Sequence, residues 1–249
     1  MLIIWGKKHV RKNIGYAADF CPICRGPQVF KLIRVGLASH VYYITSGDGE
    51  LVSHERECEQ CHTLLDANPD GYLTLSKKKQ SLADLMKTTF PSLPEVYKER
   101  LDLEEKVMKT PTLLTPQERD VMIRTPFHLL SPLLEIRLGQ THLDLGISLA
   151  LLGSFFLVTI VPVLLTKILP FDEAINFLAC AIIALLVTGW QILTAGSRYV
   201  KRRIVPVLGS NLKPLRPTES ELKSALAELK ADRKKMATRL KIADLQTYF

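Results

Sequence analysis

The chain has 249 residues, of which 47% are hydrophobic and 23% charged, with a formal net charge of +8 and a mean hydropathy of +0.11. Chains with this much charge are usually hydrophilic on average, so the apolar residues are expected to be concentrated in one region. Five cysteines are too few for a small disulfide scaffold, and the composition excludes a disordered chain or a collagen-like repeat and disfavours a freely soluble protein.

Two C-x-x-C pairs characterise the N-terminal segment, Cys21-Pro-Ile-Cys24 and Cys58-Glu-Gln-Cys61, with 33 residues between them. Each pair fits a tight turn that directs two thiolates to one side of a metal ion, and two such turns complete a tetrahedral site. The predicted strands around them are Leu2–Trp5, Gln28–Val35, His40–Thr45 and Glu50–Glu57, with a turn at Ser46–Gly49. The pattern predicts a zinc ribbon over residues 1–76, with Cys21, Cys24, Cys58 and Cys61 as metal ligands.

Other interpretations of the four thiols differ in how well they fit. Iron in a rubredoxin-like electron-transfer site uses the same ligands and stays open, whereas disulfides are disfavoured in a reducing compartment. A thioredoxin-like site would need a C-x-x-C pair that opens a helix after a strand, a setting that the Cys21 pair lacks. His54 and His62 flank a complete thiol set, so we interpret them as surface groups or as neighbours of the ligands, and Cys180 as a small packed hydrophobe.

A site closed by four thiolates has no open position for a catalytic water, so the zinc is expected to be structural. The sequence also contains no phosphate-binding glycine loop and no metalloprotease or hydrolase motif. We therefore expect a protein that is not an enzyme.

Parts of this segment resemble a known family. Ile4-Trp5-Gly6-Lys7-Lys8, the first C-x-x-C pair, Leu32-Ile-Arg-Val35 and the closing C-x-x-C pair are similar to bacterial membrane-associated zinc-ribbon proteins of uncharacterised function. The resemblance covers the N-terminal segment and implies a structural zinc on the same four cysteines. In that family a glycine usually follows the C-x-x-C pair, whereas Arg25 and His62 occupy those places here, which implies a departure in the fine geometry of the turns.

Residues 77–144 are predicted to form a stalk of short helices. Ser92-Leu-Pro-Glu95 and Thr115-Pro-Gln-Glu118 are capping boxes, and the first is expected to open a helix that continues through Lys109. Thr125-Pro126 should start a further segment, which Ser131-Pro132 interrupts. A stalk that packs on itself or lies at the inner leaflet is favoured over a binding module, because the segment is not unusually polar, aromatic or rich in histidine.

Two uncharged runs follow, Leu145–Thr166 and Ala174–Ser197. Each exceeds the roughly 20 residues that a helix needs to cross about 30 Å of hydrocarbon, and Pro162, near the end of the first run, is expected to kink the helix rather than abolish it. The runs predict a transmembrane helical hairpin over residues 145–197, with helices at about 145–166 and 174–197. A pair of buried helices in a soluble bundle is the alternative.

The distribution of basic residues predicts the orientation of this hairpin. The connector Lys167–Glu173 is short and has one basic residue, whereas Arg198, Lys201, Arg202, Arg203, Lys213 and Arg216 follow the second run. By the positive-inside rule both termini are expected in the cytoplasm, so the protein would be a two-pass protein of the inner membrane. Trp190 and Phe171 are candidate interfacial anchors, and Met1–Trp5 is too short for the apolar core of a signal peptide.

Residues 198–249 are predicted to form a basic cytoplasmic tail. Residues 174–249 contain thirteen basic and five acidic residues, which accounts for the whole net charge. Thr218-Glu-Ser-Glu221 is a third capping box and predicts a helix over about 219–245. Its heptad-like seam consists of Leu222, Leu226, Leu229, Arg233, Met236, Leu240 and Ala243. Three alternatives are an amphipathic helix folded back on the stalk, a coiled coil that makes a homo-oligomer, and a basic helix on anionic lipid.

Together these elements predict an α+β membrane protein that acts as a non-catalytic adaptor for protein–protein interaction and faces the cytoplasm. Its expected partners are the lipid bilayer and another protein, and the best candidate contact surface is His40–Thr45, with Tyr42 and Tyr43. The alternative is nucleic-acid binding by the basic cluster Lys7, Lys8, His9, Arg11 and Lys12, joined by Lys31 and Arg34. Because residues 1–76 contain eight basic and eight acidic residues, strong phosphate binding is disfavoured.

Overall fold

A computed structural model describes residues 5–41, 44–45, 47–139, 144–166 and 173–249. The predicted contact residues Tyr42 and Tyr43, the predicted anchor Phe171, the hairpin connector at 167–172 and the first three residues of the predicted N-terminal strand lie outside this range. The chain divides into two compact units. The first contains Met1–Leu130, Val207–Ala225 and Tyr248–Phe249, and the second contains Ser131–Pro206 and Leu226–Thr247.

The fold is α+β, as predicted, with an N-terminal antiparallel sheet followed by helices. The strands are β1 (Trp5–Cys21), β2 (Gly26–Val41), β3 (Ile44–Thr45), β4 (Glu50–Cys58) and β5 (Leu64–Asp66). They pair in the order β1-β2-β4-β5, and β3 pairs with the far end of β2. Gly47 and Gly49 have positive φ, as a tight turn between β3 and β4 requires.

Strand β1 is much longer than the predicted strand Leu2–Trp5. Its basic residues have low strand propensity, but each pairs with a residue of β2 in one long hairpin. A bulge between Asn13 and Gly15 shifts the register. Gly15 has φ +154°, and a Cβ there would lie 2.9 Å from the Cβ of Leu75, so only glycine fits this close approach. Tertiary pairing therefore overrides local preference in this segment.

The helices of the chain are α1 (Leu82–Thr89), α2 (Leu93–Val96), α3 (Lys98–Lys109), α4 (Pro116–Gly139), α5 (Leu145–Thr159), α6 (Val161–Leu165), α7 (Glu173–Tyr199), α8 (Val205–Leu212), α9 (Glu219–Ala231), α10 (Met236–Arg239) and α11 (Ile242–Gln246). Single 3-10 turns lie at Pro69–Gly71 and Pro111–Leu113. In the first unit, α1 packs on β1 around the fully buried Ala18, Leu85 and Leu93. This core holds the sheet against the helices that follow it.

Only one of the two capping boxes predicted in the stalk is formed, because Ser92 makes no side-chain capping bond at the start of α2. Thr115 and Glu118 form the predicted reciprocal capping box. Helix α4 then continues through Pro126 and Pro132, where a start and an interruption were predicted. Each proline removes one backbone hydrogen bond, and five almost fully buried side chains of this helix offset that loss. They are Met122, Ile123, Phe127, Leu130 and Leu134. Conversely, the single helix predicted over 92–109 is divided at Tyr97 into α2 and α3.

In the second unit the first uncharged run does not form one long helix. It divides at Ile160 into α5 and α6, which have 15 and 5 residues. The cause is Pro162, which cannot donate to the carbonyl of Val158 and whose ring crowds that carbonyl. Helix α5 alone falls short of the roughly 20 residues that a membrane crossing needs. Ile160 keeps a right-handed backbone conformation and its N–H still donates to the carbonyl of Phe156, so Pro162 interrupts the helix for one residue rather than abolishing it.

The second uncharged run lies in a helical run from Ala174 to Leu212, which is 39 residues long and contains an 18-residue window with a mean hydropathy of 2.1. Among the described residues this is the one helix long and apolar enough to cross a membrane, where two were predicted. The run passes through a π-helical turn, Val200–Ile204, which ends two residues before Pro206. The wider turn accommodates the proline, whose missing N–H leaves the carbonyl of Arg202 without its usual donor.

The tail does not form the continuous helix predicted over 219–245. The capping box of Thr218 and Glu221 is formed, but α9 ends at Ala231 and Arg233 has a positive φ of 55°. The seam residues Leu222, Leu229, Met236 and Leu240 are buried within the single chain, so they do not present an open coiled-coil face. Of the three alternatives, the helix folded back on the stalk agrees best with the contacts. Residues of α9 and Lys235, which follows it, form hydrogen bonds with residues of α4.

Candidate metal centre

The two C-x-x-C pairs lie in the turns of two neighbouring β-hairpins. Cys21 ends β1 and Cys24 lies in the tight turn before β2, while Cys58 ends β4 and Cys61 lies in the turn before β5. Because β2 and β4 pair in register, with Phe30 opposite Cys58, the two turns meet at the same end of the sheet. The sequence spacing thus produces the predicted arrangement through strand pairing.

The four sulfur atoms form a compact cluster, and all of them lie within 4.8 Å of one another. The Sγ–Sγ distance is 3.6 Å between Cys21 and Cys61 and 3.8 Å between Cys24 and Cys58. Metal–sulfur bonds of about 2.3 Å in a tetrahedron require sulfur separations of about 3.8 Å, which these distances match. A disulfide needs about 2.05 Å, so none of the four is bonded to another.

The protonation of the cluster also fits a cation. Hydrogen bonding to Cys24, Cys58 and Cys61, together with burial, raises the pKa of the Cys21 thiol. Hydrogen bonds from Cys21, Cys24 and Cys58 lower the pKa of Cys61 below its usual range. A divalent cation that binds thiolates would take the place of the thiol protons in this cluster. The cluster can hold a metal ion, and its four ligands suit zinc or iron alike.

Arg25 and His62 adopt the backbone conformation that glycine would usually supply in the two turns. They have φ values of 61° and 58°, the left-handed conformation that glycine adopts at no steric cost. For other residues this conformation costs about 1–2 kcal/mol. The turns thus keep the backbone geometry that glycine normally supplies, and surrounding contacts or metal binding must offset the cost.

Contacts of Arg25 hold the first turn, and no sequence pattern predicted them. Its guanidinium forms an ion pair with Glu104 of α3 at 2.5 Å, and the two side chains are 7% and 3% exposed. Glu104 also pairs with Arg100 at 2.8 Å. Burial lowers the pKa of Arg25, and the charge of Glu104 counteracts this. A buried pair at a separation of 79 residues has no local sequence signature.

Asn211 of α8 completes the support of the first turn. Its Nδ2 donates to the carbonyl oxygens of Pro22 at 3.2 Å and Ile23 at 2.7 Å. Its own backbone carbonyl accepts from Nε and Nη2 of Arg25 at 3.0 and 2.7 Å. The side chain is almost completely buried. Sequence reasoning missed Asn211, because a single asparagine in an apolar helix gives no indication of its distant partner.

The other candidate residues lie outside the cluster. His62 is exposed and contacts Glu57 at 3.3 Å, and His54 lies in β4 with its carbonyl bonded to Ala67. Among the described residues, neither histidine belongs to the group that could hold a metal. Cys180 is buried in α7 and belongs to the second compact unit, whereas the four clustered cysteines belong to the first.

Much of the predicted basic cluster on the sheet is already engaged in contacts within the chain. Arg11 pairs with Glu55 at 3.2 Å, and Lys12 pairs with Asp48 at 2.5 Å. Arg34 donates to the carbonyls of Asp48 and Gly49 at 2.9 and 2.8 Å. These contacts reduce the positive charge that remains for a phosphate backbone.

Comparison with known proteins returns no match for this chain among family models, curated proteins or solved structures.

Proposed function

We propose that the protein is a membrane-anchored, non-catalytic zinc-ribbon adaptor whose sheet binds a partner protein at the cytoplasmic face. The observation that carries the adaptor role is a row of exposed apolar side chains at the end of the sheet opposite the cysteines. Trp5 pairs with Val41, and Val41 pairs with Ile44, so the three side chains share one face across three strands. They are 81%, 52% and 78% exposed.

This row fits a partner because exposed apolar clusters are costly in water and commonly mark interaction sites. Lys7 and Lys8 are exposed beside it, which favours a partner surface that combines apolar and acidic groups. Val41 and Ile44 belong to the segment predicted as the contact surface, and Trp5 extends that surface onto β1. The internal pairing of Arg11, Lys12 and Arg34 favours a protein over nucleic acid.

The metal site supports a structural role. Four thiols already match a complete tetrahedron, so a bound zinc would have no position for a substrate or a catalytic water. Zinc would supply folding energy to the sheet by fixing two hairpin turns that otherwise depend on left-handed residues. Zinc is preferred to iron because the proposed function needs no electron transfer.

The membrane anchor is supported by the surface of the second unit. Helices α5 and α7 present many exposed apolar side chains, among them Phe155, Leu185, Leu186, Trp190 and Leu193. Such a continuous apolar surface would be costly in water and suits contact with lipid. We propose that α5 and α6 accompany α7 into the bilayer as a kinked second arm.

Contacts between the two arms agree with a hairpin. Ser154 and Thr188 share a hydrogen bond of 2.9 Å between their hydroxyl oxygens, and Arg198 forms an ion pair with Asp144 at 2.9 Å. These pairs place the start of α5 beside the end of α7, so the arms are antiparallel. Both ends of the hairpin would then lie on the same side, which the basic residues after α7 favour as the cytoplasm.

Site-specific photo-crosslinking in cells tests the adaptor role. A photoreactive amino acid at Ile44 should trap one defined protein, and the Trp5→Ser substitution should abolish the adduct because it removes the neighbouring side chain of the row. The same probe at Leu113, which is 71% exposed on a different element, is the matched control. An adduct that survives Trp5→Ser, or that disappears on nuclease treatment, would contradict the proposal.

Anchoring and metal identity have separate tests. The protein should resist carbonate extraction, a green fluorescent protein fused after Phe249 should fluoresce, and a periplasmic phosphatase fused there should be inactive. Purified protein should contain one zinc per chain and be colourless, whereas iron would give a visible thiolate absorption and support the electron-transfer alternative.

A further inference from the structure

Asn211 contacts the first C-x-x-C turn from a helix that is distant from it in the sequence. It lies in the last turn of the 39-residue helical run that contains the candidate membrane helix. It also contacts the turn that carries Cys21 and Cys24 through five hydrogen bonds: two from its Nδ2, two to its carbonyl oxygen and one from Arg25 Nη2 to its Oδ1 at 3.2 Å.

We propose that Asn211 is a positioning residue of the metal site, and that metal binding at the four cysteines and docking of α8 on the first turn strengthen each other. The inference requires metal binding by the cysteines, but it does not depend on the adaptor role or on membrane anchoring. Groups that hold metal ligands in place from outside the coordination sphere typically change metal affinity 10–100-fold.

The chemistry of the contacts explains why an asparagine occupies this position. The carbonyls of Pro22 and Ile23 are the backbone of the x-x residues between the two cysteines, so their direction sets where the thiolates lie. An amide N–H₂ has two donors and can bind both carbonyls at once. The backbone carbonyl of the same residue accepts from Arg25, whose left-handed conformation ends the turn. One residue thus fixes both the middle and the end of the first turn.

Coupling of this kind works in both directions by thermodynamic necessity. If α8 favours the turn conformation that binds the metal, the metal must favour the docked conformation of α8 by the same factor. Metal loss would relax the turn, misalign the carbonyls and weaken the attachment of α8. The ion pair of Arg25 with Glu104 would persist as the remaining contact of the turn with the helices.

Zinc affinity of the full-length protein in detergent, measured by competition with a chromophoric chelator, tests one direction. Asn211→Ala should weaken zinc binding about tenfold or more, and the isosteric Asn211→Asp should weaken it as well, because a carboxylate cannot donate to the two carbonyls. Ser210→Ala, at the exposed neighbouring position of the same helix, should change the affinity less than twofold. Equal affinities for Asn211→Ala and Ser210→Ala would overturn the proposal.

Hydrogen exchange tests the other direction. Chelation of zinc should increase amide exchange in residues 207–212 of the wild-type protein, and the increase should be much smaller in Asn211→Ala, where the attachment is already weakened. Unchanged protection of residues 207–212 after zinc removal would also overturn the proposal. If the metal-free N-terminal segment unfolds, the zinc affinities of the variants can still be compared, so the affinity measurement still tests the proposal. If no variant binds zinc, the metal site itself fails, which is distinct from failure of the coupling.

Discussion

The two C-x-x-C turns have almost the same backbone geometry but different surroundings. Both place a non-glycine residue in the left-handed region, with φ 61° at Arg25 and 58° at His62. Arg25 is buried against Glu104 and Asn211, whereas the His62 side chain is 59% exposed and contacts Glu57 at 3.3 Å. The same departure from glycine is therefore supported by tertiary contacts in the first turn and carries little support in the second.

This difference shows that a missing consensus residue can have two meanings. At the first turn the arginine adds contacts that glycine could not make, and it attaches the metal site to the helices. At the second turn, His62 has the same conformational cost but no comparable contacts that offset it, so the histidine is only tolerated there. The two turns should consequently respond equally to loss of a metal ligand and oppositely to restoration of glycine.

The largest expected effect comes from the ligands, where the two turns are equivalent. Cys24→Ser and Cys61→Ser should each abolish stoichiometric zinc binding, because structural zinc sites contribute about 10 kcal/mol or more to folding. Metal content by elemental analysis and protease resistance of the N-terminal segment measure this. Cys180→Ser, which changes a buried cysteine outside the cluster, should keep one zinc per chain. Zinc retention in either ligand variant would contradict the four-thiol site.

The next effect should be specific to the first turn. Glu104→Gln leaves the Arg25 guanidinium buried without its full counter-charge, and loss of one partner of a buried pair costs about 3–5 kcal/mol. Chemical denaturation of the zinc-loaded protein should show this loss. Glu105→Gln is the matched control, since Glu105 is exposed and pairs with Lys109 on the helix surface. Similar stabilities of the two variants would remove the basis for the contrast between the turns.

The sequence was sufficient to predict the cluster of four cysteines, because its signal is local. Two C-x-x-C pairs specify two turns, and the alternating strands between them specify that the turns meet. The same sequence could not identify Glu104 or Asn211, since their partners are distant in the chain and a single polar residue carries no spacing pattern. The coarse fold was thus predictable, and the contacts that stabilise the first turn were not.

Prolines account for most errors along the helices. Pro162 divides the first apolar run, whereas Pro126 and Pro132 lie within one continuous helix. The local cost of a proline is similar in each case, about 3 kcal/mol or more. The outcome depends on burial of the neighbouring side chains, which is extensive in α4 and small in α5. Burial is a tertiary property, so periodicity and proline position alone could not separate the two outcomes.

Restoring glycine should have opposite effects on the two turns. His62→Gly relieves a left-handed cost of about 1–2 kcal/mol and adds about 0.5–1 kcal/mol of backbone entropy loss on folding, so a net stabilisation of about 0.5–1 kcal/mol is expected. Arg25→Gly gains the same relief but loses its buried contacts, so it should destabilise the protein. Paired denaturation curves of the zinc-loaded variants measure both signs. Stabilisation by Arg25→Gly would show that its contacts contribute nothing.

The smallest effect concerns the chain that follows α8, the helix attached to the first turn. Arg119 donates to Glu221 at 2.7 and 3.2 Å and to the carbonyl of Arg216 at 3.5 Å, so this pair holds the segment between α8 and α9. Hydrogen bonding from Arg119 lowers the pKa of Glu221 to about 2, from a usual 4.5. A lowered folded-state pKa stabilises the protein above the unfolded pKa, and this contribution is lost as the pH falls from about 4.5 towards 2.

Glu221→Gln should therefore lower the free energy of unfolding at pH 7 by less than about 1 kcal/mol, because the pair is partly exposed, while glutamine still serves the capping box with Thr218. Zinc loss in acid affects both proteins, so the informative quantity is the difference in melting temperature between variant and wild type, which should shrink steadily below pH 4.5. Glu219→Gln, in an exposed pair with Lys223, should show no measurable difference at any pH. If the difference in melting temperature between Glu221→Gln and the wild type stayed constant down to pH 3, the carboxylate charge would not stabilise the segment after α8. Asn211 would then be the last residue along the chain whose contacts support the first turn.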